Sequence, residues 1–304
     1  MTTAELPLVI VNPASRGGAG ARDWPRAAAA LRSHFGPFAR RFTEGPGHAS
    51  ELAREEAGKG RRLLLTFGGD GTISETARGI LASGADCELG VLPHGTGGDF
   101  IRSLGMPSRM ADAARALRRG RGQAIDVGRV TFGDGSARAF VNAASFGLSA
   151  EVAYRVNRAR KTAASYAEQT VRAALDFEFP RVHVETDGKA PRGIAITSVS
   201  LHNGRFFGGG MKMAPAATLR DGRLQVIVVR KLAPVALLSR APLLYGGAHL
   251  GLDDVEHGDV SRFSARPAQA GAGIKVEADG ESVGLLPARF EVQPKALCVR
   301  LPRG

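Results

Sequence analysis

The chain has 304 residues, 43% of them hydrophobic, with a formal charge of +12 at pH 7 and two cysteines; that length supports two domains. No run of about 18 uncharged apolar residues occurs, because the best stretch, Ala233 to Leu250, is broken by Arg240 and Gly246-Gly247, so no bilayer span is expected. Met1 to Pro7 lacks the basic and apolar regions of a signal peptide, and Cys87 and Cys298 stand far apart, which argues against a disulfide scaffold and predicts a cytoplasmic protein. The excess arginine, as in Arg118-Arg119-Gly120-Arg121, suits anionic lipid or phosphorylated ligands or reflects coding bias, and the few aromatics are not interleaved with it, so no nucleic-acid partner is expected.

From the N-terminus, Leu8 to Val11 reads as a short strand ending at Asn12-Pro13, Ala21 to Phe35 as helix, Phe38 to Phe42 as strand and Ser50 to Gly58 as helix. The next strand, Leu63 to Phe67, runs straight into Gly68-Gly69-Asp70-Gly71-Thr72, and helix is predicted from Ile73 to about Ala82. Two glycines without Cβ atoms let backbone N–H groups approach an anion closely. Thr72 is expected to cap the helix, whose positive end favours phosphate. Asp70 would repel a bare phosphate, but it fits a bound divalent cation, since Mg²⁺ is usually held by one or two carboxylates plus substrate phosphates. The segment reads as a nucleotide-triphosphate site, although a tight strand-to-helix turn uses the same glycine pair.

Leu89 to Leu92 is another buried strand, followed by Pro93-His94-Gly95-Thr96-Gly97-Gly98-Asp99, a second anion loop ahead of a helix. Thr96 offers a hydroxyl to phosphate, Asp99 caps or orients the loop, and His94 reads as a loop residue, with a contact to phosphate as the other reading. Neither G-x-x-x-x-G-K-[ST] nor G-x-G-x-x-G is present. Strands alternating with helices imply a parallel sheet whose ligands bind beyond the carboxyl ends of its strands.

From about Ile125 the pattern turns to β. Ile125 to Phe132 and Ala137 to Ala144 flank the turn Gly133-Asp134-Gly135, and Arg181 to Thr186 and Arg192 to Leu201 flank Asp187-Gly188. Later strands are predicted at Leu224 to Val229, Val260 to Ala265, Ile274 to Ala278, Phe290 to Val292 and Leu297 to Leu301, with helical interruptions near Ala150 to Phe177 and Pro234 to Tyr245. This half reads as an antiparallel sandwich. Ala233 to Tyr245, rich in leucine, reads as an ordinary core helix, with the lining of an acyl pocket as the other reading. Glu151 to Asp176 carries Arg155, Arg158, Arg160 and Lys161, either a solvated face or one that rests on anionic lipid. Asp279-Gly280-Glu281 closes an alternating strand. Its two carboxylates suit proton abstraction or metal binding, and the tripeptide equally suits a hairpin turn.

In order along the chain, Asn12-Pro13-Ala14-Ser15, Gly68 to Thr72 with Glu75, Pro93 to Asp99, Gly208-Gly209-Gly210-Met211 through Asp221-Gly222-Arg223-Leu224, and Asp279-Gly280-Glu281 resemble the diacylglycerol kinase catalytic-domain family. The resemblance covers nearly the whole chain. It implies α/β plus all-β architecture: a Rossmann-like nucleotide domain related to NAD kinase, residues 1–124 and 289–304, and a β-sandwich lipid-substrate domain, residues 125–288, with the C-terminal segment returning to the first domain. It implies ATP and Mg²⁺ as cofactors. Asn12, Thr43, Gly68, Gly69, Asp70, Gly71, Thr72, Ile73, Ser74, Glu75, Gly95 and Thr96 would surround the nucleotide, with Asp70 on the catalytic metal. Asp279 matches the family's base, with Glu281 beside it. Asp221, with the carbonyls of Thr218 and Arg223, matches a structural Mg²⁺ site. The implied partners are a lipid substrate at a membrane surface, entering a cleft between the halves, peripheral contact with the inner membrane face, and a homodimer. Gly98, often Asn in the family, and Arg16, usually glycine, depart from the pattern. An NAD kinase-like enzyme shares G-G-D-G-T, and a nucleotide- or lipid-binding regulator without turnover is the other alternative.

Overall fold

The computed structural model describes residues 6–158 and 172–302, with side chains for all of these but 157 and 158. The elements in chain order are β1 (Leu8–Val11), α1 (Ala19–His34), β2 (Ala39–Phe42), α2 (His48–Gly58), β3 (Leu63–Gly68), α3 (Asp70–Ser83), β4 (Glu88–Pro93), α4 (Asp99–Ser103) and α5 (Met110–Arg119). There follow β5 (Arg121–Phe132), β6 (Ala137–Phe140), β7 (Ala143–Gly147), α6 (Leu148–Arg158), β8 (Arg181–Thr186), β9 (Arg192–His202) and β10 (Leu224–Arg230). The chain ends with α7 (Pro234–Arg240), α8 (Leu243–Gly246), β11 (Val255–Val260), β12 (Arg262–Pro267), β13 (Lys275–Ala278), β14 (Glu281–Leu285) and β15 (Ala288–Leu301). Two compact units divide at Asp126 and Pro294.

In the first unit the strands lie in the order β2-β1-β3-β4-β15, all parallel. Strands covered on both faces must be apolar throughout, and Leu8 to Val11, Leu64, Leu65, Leu89, Val91 and Leu92 are all buried. Helix α1 packs on α5 and α2 on α3. The parallel arrangement puts the loops after β1, β3 and β4 at one edge of this sheet.

The second unit is a sandwich. One sheet runs β14-β13-β7-β9-β10-β11, antiparallel throughout. The first half of β9 turns to pair with β8, which pairs with β12, which pairs with the start of β15. Alternate residues point to opposite faces of a strand. Ala144, Phe146, Val199, Leu201, Val226, Val228, Val276 and Ala278 thus meet Val182, Val184, Phe263 and Phe290 in one core. The Phe146 and Phe290 rings stack 6.0 Å apart. Register places Ser145, Ser200 and Glu277 side by side on the opposite face of the first sheet.

Several local expectations change. Helix α3 begins at Asp70 rather than Ile73. Val260 to Ala265, expected as one strand, is the last residue of β11 and most of β12, with the corner between them at Ser261, where the Asp187 carboxylate accepts the N–H groups of Ser261 and Arg262 at 3.0 and 2.8 Å. Phe290 to Val292 and Leu297 to Leu301 are parts of one long strand, and β14 is an additional strand. Pro234 to Tyr245 is two short helices without a buried residue, so the expected core helix is not found: Val235 is 78% exposed and Tyr245 61%. Of the expected helix from Ala150 to Phe177, residues 159–171 lie outside the described residues.

Candidate active site

The loop after β3 owes its shape to glycine. A Cβ on Gly68 would stand 2.5 Å from Thr72 Oγ1, and one on Gly95 would stand 3.1 Å from Gly69 Cα, so this loop and the loop after β4 lie back to back. Gly69 is the N-cap of α3 and brings no side-chain cap. Thr72 therefore lies inside the first turn, and its expected capping role is replaced by another: its Oγ1 accepts a hydrogen bond from Asn12 Nδ2 at 2.9 Å. A helix N-terminus leaves backbone N–H groups without intrahelical partners, a ready site for phosphate.

Asp70 has partners that the sequence does not show. Its Oδ2 accepts the N–H groups of Gly98 and Asp99 at 2.9 and 3.4 Å, and its Oδ1 accepts that of Phe100 at 3.2 Å. Both oxygens help to hold the second loop, and a carboxylate has about four lone-pair sites, so these three bonds leave room for a cation. The loop after β1 joins the same assembly. Ser15 Oγ donates to the Asn12 carbonyl at 2.7 Å and lies 2.9 Å from His94 Nδ1, while His94 Nε2 lies 3.2 Å from Asp23 Oδ2. The hydrogen bond from His94 holds the Asp23 carboxyl below its usual range. The His94 ring stacks on Phe67 at 4.2 Å.

Of the residues expected around a nucleotide, Asn12, Gly68 to Thr72, Gly95 and the exposed Thr96 gather at these three loops, and Thr43 follows β2 with its N–H donating to the Val11 carbonyl. Three others do not present side chains there. Ile73 is fully buried, and so is Ser74, whose Oγ accepts from Arg78. Glu75 accepts the N–H groups of Gly47 and Ala49 at 2.9 and 3.2 Å, which caps α2. Both departures from the family pattern fall at left-handed backbone. Gly98 has φ 63°, where asparagine is also tolerated, and Arg16 has φ 53°, where glycine would cost nothing.

In the second unit, Asp279 (φ 49°) and Gly280 (φ 82°) form the tight turn between β13 and β14. Positive φ at both central residues is what a two-residue hairpin demands, and aspartate tolerates it better than most residues. The Asp279 carboxylate accepts three backbone N–H groups, Val141 on Oδ2 at 2.8 Å and Asn142 and Ala143 on Oδ1 at 2.9 and 3.1 Å. Glu281 pairs with Arg138 at 3.6 Å. Sequence reasoning missed Glu277, two residues before the turn: it is fully buried, its Oε1 accepts from Ser145 Oγ at 2.6 Å and its Oε2 from Gly280 N–H at 2.8 Å. Burial pushes its carboxyl up to about 8, with the Asp279 charge a smaller cause in the same direction. No local signal marks it: Glu277 alternates with the core residues Val276 and Ala278 and shares its face with Lys275, as a solvent-facing residue of a strand would.

Asp221 is exposed, and its Oδ1 accepts the Arg223 N–H at 2.9 Å in a turn that includes Gly222 at φ 70°. Thr218 is exposed nearby in sequence. Among the described residues, no group of three or more His, Cys, Asp and Glu gathers to hold a metal. Arg155 is paired with Glu151 and Asp176 at 2.8 and 2.9 Å; Arg160, Lys161 and the side chain of Arg158 lie outside the described residues. No described helix is long and apolar enough to cross a membrane.

Residues 7–130 match the diacylglycerol kinase catalytic domain, and residues 142–301 match the YegS C-terminal NAD kinase beta sandwich-like domain. The chain is 31% identical over 302 residues to a diacylglycerol kinase of Mycobacterium tuberculosis, covering 97% of this chain and 94% of that protein. It is 30% identical over 302 residues to a probable lipid kinase YegS-like of Pseudomonas aeruginosa, covering 94% and 92%. Among solved structures, a putative diacylglycerol kinase from Bacillus anthracis superposes with a TM-score of 0.77 at 25% identity, covering 97% of this chain and 96% of that one. With one family domain on the α/β unit and the other on the sandwich, the chain belongs to the diacylglycerol kinase family of lipid kinases.

Proposed function

We propose that this kinase transfers the γ-phosphate of ATP to a hydroxyl of a lipid such as diacylglycerol or a related glycerolipid or sphingolipid. The observation that carries this reading is the Asp279 turn, where three backbone N–H groups aim one carboxylate from a left-handed residue. Asp279 would take the proton from the acceptor hydroxyl as its oxygen attacks the γ-phosphorus, and the bond to the bridging oxygen breaks with ADP as leaving group. Such catalysis is chiefly positioning and electrostatics. The glycine loops and the α3 N-terminus favour the phosphate charge.

Asp221 with the carbonyls of Thr218 and Arg223 is a set of hard oxygen donors of the kind magnesium prefers, and these residues would hold a structural Mg²⁺. A bound Mg²⁺ supplies positive charge, and at the glycine loops Asp70 is the carboxylate that would hold the catalytic ion. The exposed Val235, Leu238 and Tyr245 support an acceptor drawn from a membrane surface, with the protein peripheral to the inner face of the membrane.

Transfer of radiolabel from ATP to a panel of diacylglycerol, monoacylglycerol, phosphatidylglycerol, ceramide, sphingoid bases and NAD tests the reading. Label is expected on a glycerolipid or sphingolipid. Label on NAD alone would establish the NAD kinase-like alternative, and nucleotide binding without label on any acceptor would establish a regulator. Vesicle sedimentation of wild type against a Val235→Ser, Leu238→Ser double variant tests the surface. Equal partitioning of the two would remove the membrane role of these helices.

A further inference from the structure

The polar face of the sandwich sheet holds a set of groups that phosphate transfer by Asp279 does not itself use. Ser145 Oγ lies 2.6 Å from Glu277 Oε1, Ser149 Oγ lies 2.7 Å from Ser145 Oγ, and Ser198 Oγ lies 2.7 Å from Ser149 Oγ. The chain of hydroxyls thus runs from β13 through β7 and the first turn of α6 to β9. Glu277 and Ser145 are fully buried, whereas Ser149 and Ser198 are partly exposed. The other Glu277 oxygen takes the Gly280 N–H, the peptide immediately after Asp279. Asp279 and Gly280 both hold positive φ, and the Glu277 bond gives the peptide that joins them a fixed partner.

We propose that Glu277 is a positioning residue for Asp279, fixing the Asp279–Gly280 turn from beneath through the Gly280 N–H and anchoring it to β7 and α6 through Ser145 and Ser149. The inference rests on Asp279 being the base, as read above. Burying a charge without a countercharge is expensive, whereas a buried neutral acid needs only hydrogen bonds. Here two are supplied, and the hydroxyl protons of the serine chain can orient to donate toward Glu277 or accept from it. Burial keeps this carboxyl neutral at pH 7, consistent with a structural acid rather than a second base. Glu281, by contrast, is partly exposed and pairs with Arg138.

Glutamine can replace a neutral glutamic acid here, because its oxygen accepts the Gly280 N–H and its amide donates to Ser145. Alanine can do neither. Turnover of Glu277→Ala should fall ~10²-fold, the loss expected when a reacting group shifts by about an ångström, with the KM for ATP unchanged, while Glu277→Gln keeps turnover near wild type. Hydrogen exchange at Gly280 and Val141 to Ala143 should accelerate in the alanine variant and not in the glutamine variant. Full turnover in Glu277→Ala would overturn the proposal, and so would a folded Glu277→Gln as slow as the alanine variant. Should Glu277→Ala not fold, Ser145→Ala removes one anchor alone; unchanged exchange and turnover in it would overturn the proposal equally. If the wild type phosphorylates no lipid, the assignment of the reaction fails, and the exchange pattern still decides whether Glu277 holds the turn.

Discussion

Replacing Glu277 by glutamine removes one titration while keeping volume and hydrogen bonds. In the folded protein the carboxyl holds its proton to about pH 8, against 4.5 for an ordinary glutamate. Between those values the unfolded chain releases a proton that the folded chain keeps, so the contribution of this group to stability falls as pH rises from 4.5 to 8 and is level outside that window. Each tenfold change in proton affinity corresponds to about 1.4 kcal/mol, so the window spans on the order of 5 kcal/mol. His202, also buried and pushed down to about 3, acts with the opposite sign below about pH 6.5; the wild-type curve alone would hide part of the effect. The difference between wild type and Glu277→Gln cancels it. Urea unfolding of both proteins at pH 5, 6, 7 and 8 should show the variant gaining stability over wild type at each step. A difference in midpoint that stays constant from pH 5 to 8 would refute a buried neutral Glu277.

Asp279→Asn should lower turnover by ~10²–10⁴-fold, the usual cost of losing a general base. It should also lower stability by about 1–3 kcal/mol, because an amide nitrogen now faces backbone N–H groups; calorimetry beside the kinetic assay separates the two, and normal turnover would exclude Asp279 as the base. Asp70→Ala leaves the N–H groups of Gly98, Asp99 and Phe100 without their acceptor and should cost about 1–3 kcal/mol while raising the KM for ATP. An unchanged KM and melting temperature would mean that these bonds do not shape the nucleotide site. Gly98→Asn should be tolerated, whereas Gly98→Val should cost about 1–2 kcal/mol for forcing a β-carbon into left-handed backbone, read from the same melting curves. Asp221→Ala should abolish any stabilisation by added Mg²⁺; a melting temperature that rises with Mg²⁺ equally in both proteins would dismiss that site.

Much of this protein is legible in the order of its residues. The run Leu8 to Val11 and the paired turns at Gly133 and Gly188 predict elements because periodicity and turn chemistry act over a few residues. The five spaced motifs carry the family. The partners of the motif side chains were not legible, because each is a long-range contact. Asp70 reads as a cation ligand, and only the return of the loop after β4 shows that it also accepts three N–H groups. Glu75 looks like a nucleotide contact until α2 presents its unsatisfied N-terminus. Ala233 to Tyr245 looks like core because it is apolar, and only packing shows that none of its helical residues is buried among the described residues. Glu277 looks like a solvent-facing residue of its strand until the fold buries it against Ser145.

The amino-acid sequence alone determined the alternation of strands and helices, the change to β after residue 125, the two glycine loops and the presence of Asp279 in a turn. Tertiary structure alone decided which carboxylates are occupied, which are exposed and which stay protonated. Secondary structure follows from local sterics and spacing, whereas the state of a carboxylate depends on burial and on donors brought from far along the chain, as Val141 is brought to Asp279 across 138 residues.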